Sequence, residues 1–174
     1  GYNAVRAISS RGSVYVKLIA GASSQFGSNM IIRRYAVLTT EYNDLTYLVD
    51  ISSDHLTVNT SVSGFTLPLI EGKVKSQQFI SNGKKLYTIN LDDTLPIEHY
   101  DIRVKVDGEL WEKGDSLLSL VKDQKAYIIR TGFFNQVDII FGDGICGKIP
   151  EDGSTITVEY IVTSGSAGNI DRND

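Results

Sequence analysis

The sequence predicts a mainly β protein, either an antiparallel sandwich or two small β lobes, with at most one short helix. Apolar residues alternate with polar ones along most of the chain, and Gly, Asn and Asp interrupt these runs at short intervals. Only residues 116–125 place their leucines near helical spacing. We expect the lobe boundary at Gly72, which gives an N-terminal lobe of residues 1–72 and a C-terminal lobe of residues 73–174.

The N-terminal lobe is predicted to contain four strands, at residues 12–20, 30–40, 45–51 and 56–69. In the first strand Val14, Val16 and Leu18 share one face. A turn is expected between the second and third strands, because Asn and Asp at residues 43–44 favour turns. We expect a bulge near Gly64 in the fourth strand, since glycine inside a strand pattern often marks one.

The C-terminal lobe carries the clearer alternation, with strands predicted at residues 86–91, 102–106, 126–130, 136–141 and 154–163. The last strand places one set of apolar side chains on a single face, namely Ile156, Val158, Tyr160 and Val162. Asp107-Gly108 predicts a two-residue hairpin. A type I′ turn needs positive φ at both central positions, which Asp tolerates and Gly adopts freely.

The composition limits the classes of partner. A net charge of −4 without a basic stripe argues against nucleic acid, and no apolar run reaches the roughly 18–20 residues that would span a membrane. The one cysteine, Cys146, excludes an internal disulfide and suits folding in the cytosol. Because the chain begins without Met or a signal-peptide pattern, we interpret it as a piece of a longer protein.

Residues 142–148 match the spacing G-x-x-x-x-G-K of a phosphate-binding loop. Ile149 follows where that motif needs Ser or Thr, and no helix is predicted after it, so we interpret the segment as a glycine-rich turn without a cofactor. His55 and His99 stand in different contexts and predict surface or turn positions instead of a catalytic triad. No metal-ligand spacing is present, although a loose Ca²⁺ site at residues 92–93 or 143 stays open.

Residues 133–169 carry an ordered series of motifs. An aromatic-led strand ends in Phe-Gly-Asp-Gly at 141–144, a hydrophobic residue and a Gly-Lys pair at 147–148 follow, and a Thr-Ile-Thr-Val-Glu-Tyr strand at 155–160 precedes a Gly-Ser-Ala-Gly-Asn tail at 165–169. This series resembles the baseplate wedge proteins of contractile-tail phages, a family that includes the T4-type wedge protein and the baseplate J-like proteins. Upstream, Glu71-Gly72 before a strand resembles another element of the family.

The resemblance implies a structural part of the virion, assembled in the host cytoplasm, which associates with itself and with other baseplate wedge proteins around the tail hub. It implies no catalytic residue and no cofactor, so we do not expect an enzyme, and no nucleic-acid or membrane partner is implied. The hypothesised inter-subunit surface consists of Phe133, Phe134, Asn135, Gly142, Asp143 and Gly144. The alternative is a carbohydrate- or receptor-binding sandwich of a phage tail, for which Trp111 is the obvious aromatic candidate.

Overall fold

The computed structural model describes residues 11–18, 27–39, 45–99, 101–132 and 136–163. These residues form a mainly β structure with several antiparallel sheets, as the sequence predicts. They fall into two compact units, which divide between Lys73 and Val74, next to the predicted lobe boundary at Gly72. Among the described residues, no helix is long and apolar enough to cross a membrane.

The first unit contains one larger sheet and one two-stranded ribbon. Its strands are β1 Arg11–Lys17, β2 Asn29–Arg33, β3 Val37–Thr39, β4 Thr46–Val49, β5 His55–Asn59 and β6 Gly64–Glu71. The sheet has the order β1-β6-β4-β3, and β2 pairs with β5. Leu48, Val49, Leu67 and Ile70 supply its buried apolar side chains, while β1 lies at the sheet edge and is largely exposed.

Two predicted strands of this unit prove to be two strands each. Residues 30–40 break at Tyr35, which adopts a φ of 61° and separates β2 from β3. Residues 56–69 break at a turn in which the Asn59 side chain accepts a hydrogen bond from the Ser61 N–H at 2.9 Å. The predicted bulge near Gly64 is also wrong, because β6 pairs with β1 residue for residue from Gly64 onward. Gly64 is favoured for another reason, since a Cβ at this position would lie 2.7 Å from the backbone carbonyl oxygen of Val16 in β1.

The second unit is built from two four-stranded sheets. Its strands are β7 Lys73–Ile80, β8 Thr88–Leu91, β9 Arg103–Val106, β10 Glu109–Leu110, β11 Glu112–Lys113, β12 Ala126–Thr131, β13 Val137–Phe141 and β14 Thr155–Val162. The strand orders are β10-β9-β14-β7 and β11-β12-β13-β8. One hydrophobic core takes side chains from both sheets, as expected for a sandwich. The predicted inward face of β14 is confirmed, because Ile156, Val158, Tyr160 and Val162 are all buried.

The Asp107-Gly108 hairpin is also confirmed. Asp107 has a φ of 49° and Gly108 a φ of 82°, the two positive values that a type I′ turn requires. Val106 of β9 then pairs with Glu109 of β10. The Asp107 carboxylate additionally accepts the Thr155 N–H at 2.9 Å, which ties the hairpin to the start of β14.

The predicted helix at residues 116–125 is wrong. Only a 3₁₀ turn forms, at Leu117–Ser119, and Leu120 is already extended with φ −80° and ψ 133°. The reason lies in packing, because Leu120 turns inward onto Ala126, Ile128 and Ile140 in a second, smaller apolar cluster. Leu118, in contrast, remains 90% exposed.

Candidate functional site

The glycine loop, residues 142–147, follows directly after β13 and starts from a rigid point. Phe141 is fully buried, with its ring 5.7 Å from that of Trp111 in an edge-to-face contact and 6.1 Å from that of Tyr87 in a stacked one. The Gly142 carbonyl accepts the Leu86 N–H at 3.1 Å. Gly142, the first residue of the loop, is thus held by the buried Phe141 that precedes it and by its hydrogen bond to Leu86, just before β8.

Glycine is needed at each of three positions in this loop. A Cβ at Gly142 would overlap the backbone carbonyl of Gly147. Gly144 and Gly147 have φ values of 89° and 84°, where a side chain is strained. A Cβ at Gly147 would also lie 2.9 Å from a methyl carbon of Leu120. The two ends of the loop therefore touch through backbone atoms, and the sequence pattern reflects this close approach.

Every backbone N–H from residue 143 to residue 148 has an acceptor within the protein. Asp143 and Gly144 donate to the carbonyls of Cys146 and Gly147 at 3.3 and 3.0 Å. Ile145 and Cys146 donate to the Asp143 carboxylate at 2.8 and 2.7 Å. Gly147 and Lys148 donate to the carbonyls of Val121 and Gln124 at 3.1 and 2.8 Å.

These hydrogen bonds of the backbone N–H groups distinguish a phosphate-binding loop from a glycine-rich turn, the two interpretations of the G-x-x-x-x-G-K spacing. A phosphate-binding loop cradles its ligand with free backbone N–H groups at the start of a helix. Here the N–H groups of residues 143–148 are already bonded, and the chain continues through Pro150 toward β14 without a helix. The segment is a hydrogen-bonded turn, as the sequence predicts.

The Asp143 carboxylate acts as the internal cap of the loop. Hydrogen bonds from the backbone N–H groups of Cys146 and Ile145 lower the pKa of this carboxyl below its ordinary value. The group is therefore ionised at neutral pH and accepts two N–H groups from its own loop. Its role in the structure is to hold the turn, and it does so at a half-buried position.

Apolar side chains project from the glycine loop and the segment packed against it. Ile145 is 72% exposed, Val121 is 66% exposed and Leu118 is 90% exposed. Val121 is tied to the loop through its carbonyl, and Leu118 lines the same shallow groove as Cys146. We call Leu118, Val121 and Ile145 the apolar patch. Exposed aliphatic side chains on connected segments are a candidate contact surface.

The structure describes three of the six residues of the hypothesised inter-subunit surface. Gly142, Asp143 and Gly144 lie together in the glycine loop, whereas Phe133, Phe134 and Asn135 lie outside the described residues. Sequence reasoning missed the patch residues Leu118 and Val121, because their helical spacing suggested the buried face of a helix. The sequence feature that could have indicated their exposure is the number of leucine and valine residues in this segment, which is too short to bury them all.

No protein-family model matches the chain, and no curated protein matches it either.

The other residues that the sequence offered as sugar-binding, catalytic or metal-binding candidates do not form such a site in the described structure. Trp111 is 5% exposed and packs on Phe141, so it offers no open ring for a sugar. His55 is exposed in β5 of the first unit, while His99 of the second unit is buried in a bend and is not at the surface. The carboxylate of Asp93 binds Lys75 at 2.9 Å. Within the described ranges, no group of three or more His, Cys, Asp or Glu side chains could hold a metal ion.

Proposed function

We propose that this chain is a structural domain of a contractile-tail baseplate wedge protein, which binds other wedge subunits through the glycine loop and its apolar patch. The domain acts in the virion, at the tail baseplate, after assembly in the host cytoplasm. It contributes by packing and geometry, and its partners are proteins.

One observation carries this proposal. The backbone N–H groups of residues 143–148 all have acceptors within the protein, and the Ile145 side chain of the glycine loop is nevertheless 72% exposed. A loop of this kind has little to offer a phosphate or a sugar, but it presents carbon surface at fixed geometry. Burying an aliphatic side chain against a partner stabilises a complex by about 1.5–3 kcal/mol. The ordered motifs of residues 133–169 support the same proposal through their resemblance to wedge proteins.

The proposal is tested by mixing the chain with purified wedge components of a contractile-tail baseplate and measuring complex formation by light scattering. Ile145→Lys should weaken the complex at least tenfold, because a charge replaces a buried apolar contact. Leu110→Lys is the matched control. Leu110 is 57% exposed in β10 and is not one of the patch residues, so its substitution should leave binding unchanged.

Two results would count against the proposal. Failure of the wild-type chain to bind any wedge component would remove the assembly role. Equal binding of the Ile145→Lys variant and the wild type would move the contact away from the glycine loop. The chain alone should be measured in parallel, since association with itself is part of the expectation from the family resemblance.

A further inference from the structure

The sheet β11-β12-β13-β8 has an edge that is covered for only part of its length. β11 pairs with the start of β12, where Glu112 lies opposite Ala126 and Lys113 opposite Tyr127. The Gly114 N–H then bonds the Tyr127 carbonyl at 2.8 Å, and the chain departs into the 3₁₀ turn. Beyond this point the described structure places no strand on the β11 side of β12.

The hydrogen bonds on both sides of β12 show which backbone groups face the open edge. On the β11 side, the carbonyls of Lys125 and Tyr127 accept bonds, so the odd-numbered residues point that way. On the β13 side, the Gly132 N–H bonds the Gln136 carbonyl at 2.9 Å, which assigns the even-numbered residues to β13. By this alternation the N–H and C=O groups of Ile129 and Thr131 face outward, where the described residues supply no partner.

A shallow groove lies beside this open edge. Its lining includes Ile128, Ile129 and Arg130 of β12 together with Leu117, Leu118 and Leu86, and it also includes Asp115 and Asp143. Leu118 is almost wholly exposed, and Leu86 is 45% exposed. Unpaired strand groups next to exposed aliphatic side chains are the two features that bind an added strand, whose backbone pairs with the edge while alternate side chains enter the groove.

We propose that an extended segment of a partner protein adds to the β12 edge at Ile129 and Thr131, with a bulky aliphatic side chain in the groove and a basic residue beside it. This inference rests on the proposed function and specifies its partner contact. The basic residue follows from charge. The groove lining contains two carboxylates, those of Asp115 and Asp143, and one guanidinium, that of Arg130.

The first test uses synthetic heptapeptides with alternating Val and Thr, a central Leu, and Arg, Glu or Pro at the neighbouring position. Backbone amide signals of Ile129 and Thr131 are followed by NMR during titration up to about 1 mM peptide, a concentration at which a weak docking contact is populated. We expect both signals to shift, with the Arg peptide binding at least tenfold more tightly than the Glu peptide and the Pro peptide not binding. No shift of either signal with any peptide would overturn the inference.

Two variants locate the contact. Thr131→Pro removes an outward N–H that β13 does not use, a change tolerated at sheet edges. Leu118→Lys places a positive charge on the groove wall, where it repels the basic residue. Each should lower affinity at least tenfold, while Leu110→Lys should not. Trp111 fluorescence verifies that each variant is folded, since this buried residue is the single Trp of the chain. Unchanged binding by both variants would refute docking at this edge.

Hydrogen exchange in the complex with wedge components separates this inference from the proposed function. Protection of the Ile129 and Thr131 amides in the complex supports strand addition. A complex that forms without protecting them overturns the inference and leaves the assembly role intact. Peptide docking without any wedge complex supports the edge site and removes the assembly role. Association of the chain with itself that Leu118→Lys abolishes would make a second copy the occupant, and would refute a foreign segment.

Discussion

Replacing Tyr160 with Phe should destabilise the second unit in a manner that depends on pH. Tyr160 is buried in β14, and its hydroxyl donates to the Asp93 carboxylate at 2.7 Å while accepting the Gln77 side-chain N–H at 2.8 Å. Lys75 donates to the same carboxylate at 2.9 Å. These bonds connect β7, β14 and the segment after β8, so the hydroxyl lies at the centre of a polar network.

The magnitude follows from the pKa of Asp93. Burial raises this pKa, but hydrogen bonds from Tyr160 and Lys75 lower it from 3.8 to about 2. The difference corresponds to roughly 2 kcal/mol of stability at neutral pH. Because the folded-state pKa is depressed, this stability is present above pH 4 and disappears as the pH falls through about 2. A hydrogen bond to a charged group contributes roughly 1.5–3 kcal/mol, so Tyr160→Phe should cost about 2 kcal/mol at pH 7.

The assay is urea unfolding followed by Trp111 fluorescence, which reports on the second unit because Trp111 lies in its core. Wild type and Tyr160→Phe should differ by about 2 kcal/mol at pH 7 and by much less near pH 2, where Asp93 is half protonated in the folded wild type. Tyr127→Phe is the matched control. Its buried hydroxyl donates to the neutral Ile102 carbonyl at 3.0 Å, so its cost should not vary over this pH range. Equal costs for Tyr160→Phe at both pH values would refute the reasoning.

Three further predictions concern the loops and the core. Gly142→Ala should lower the unfolding free energy by more than Gly108→Ala, because the new Cβ at residue 142 would overlap Gly147. A Cβ at residue 108 would meet open space, so Gly108→Ala should cost only about 1 kcal/mol, for the positive φ. Urea unfolding measures both variants. Asp143→Ala should speed hydrogen exchange at the amides of residues 145 and 146, which lose their acceptor, without a matching effect at other loop amides; NMR exchange rates that stay unchanged would contradict this. Trp111 emission should resist quenching by acrylamide until the unit unfolds, and oligosaccharides should leave it unaltered, because the ring is buried.

The second unit was more predictable from sequence than the first, and the difference has a physical cause. Along most of β9 and β14, buried residues alternate with partly exposed ones. The apolar residues Val104, Val106, Ile156 and Val158 therefore show the two-residue period of a strand directly in the sequence. In β1 and β3 nearly every residue is exposed, and alternation there carries little information about packing. The breaks at residues 34–35 and 60–63 arise from local turn geometry that an apolar pattern does not reveal.

The misread helix and the missed patch have the same origin. Leucines at helical spacing predict a buried stripe, but residues 114–125 connect two parallel neighbours, β11 and β12, and must cross over the outer face of their sheet. Only Leu120 reaches the apolar cluster on that face, with Leu117 packed against it, and the others remain in solvent. Spacing alone does not distinguish side chains that the crossover buries from those it leaves exposed.

The arrangement of donors and carbon atoms around the glycine loop favours assembly over ligand chemistry. A loop that binds an anion must leave N–H groups pointing outward, and such groups are costly to leave without partners. This loop directs six consecutive N–H groups, those of residues 143–148, to its own carboxylate and to nearby carbonyls. What it exposes instead is the aliphatic side chain of Ile145, and within the described residues the edge of β12 at Ile129 and Thr131 has no partner strand on its outer side. The partner segment that we propose would supply an apolar side chain for the groove and a backbone for this edge.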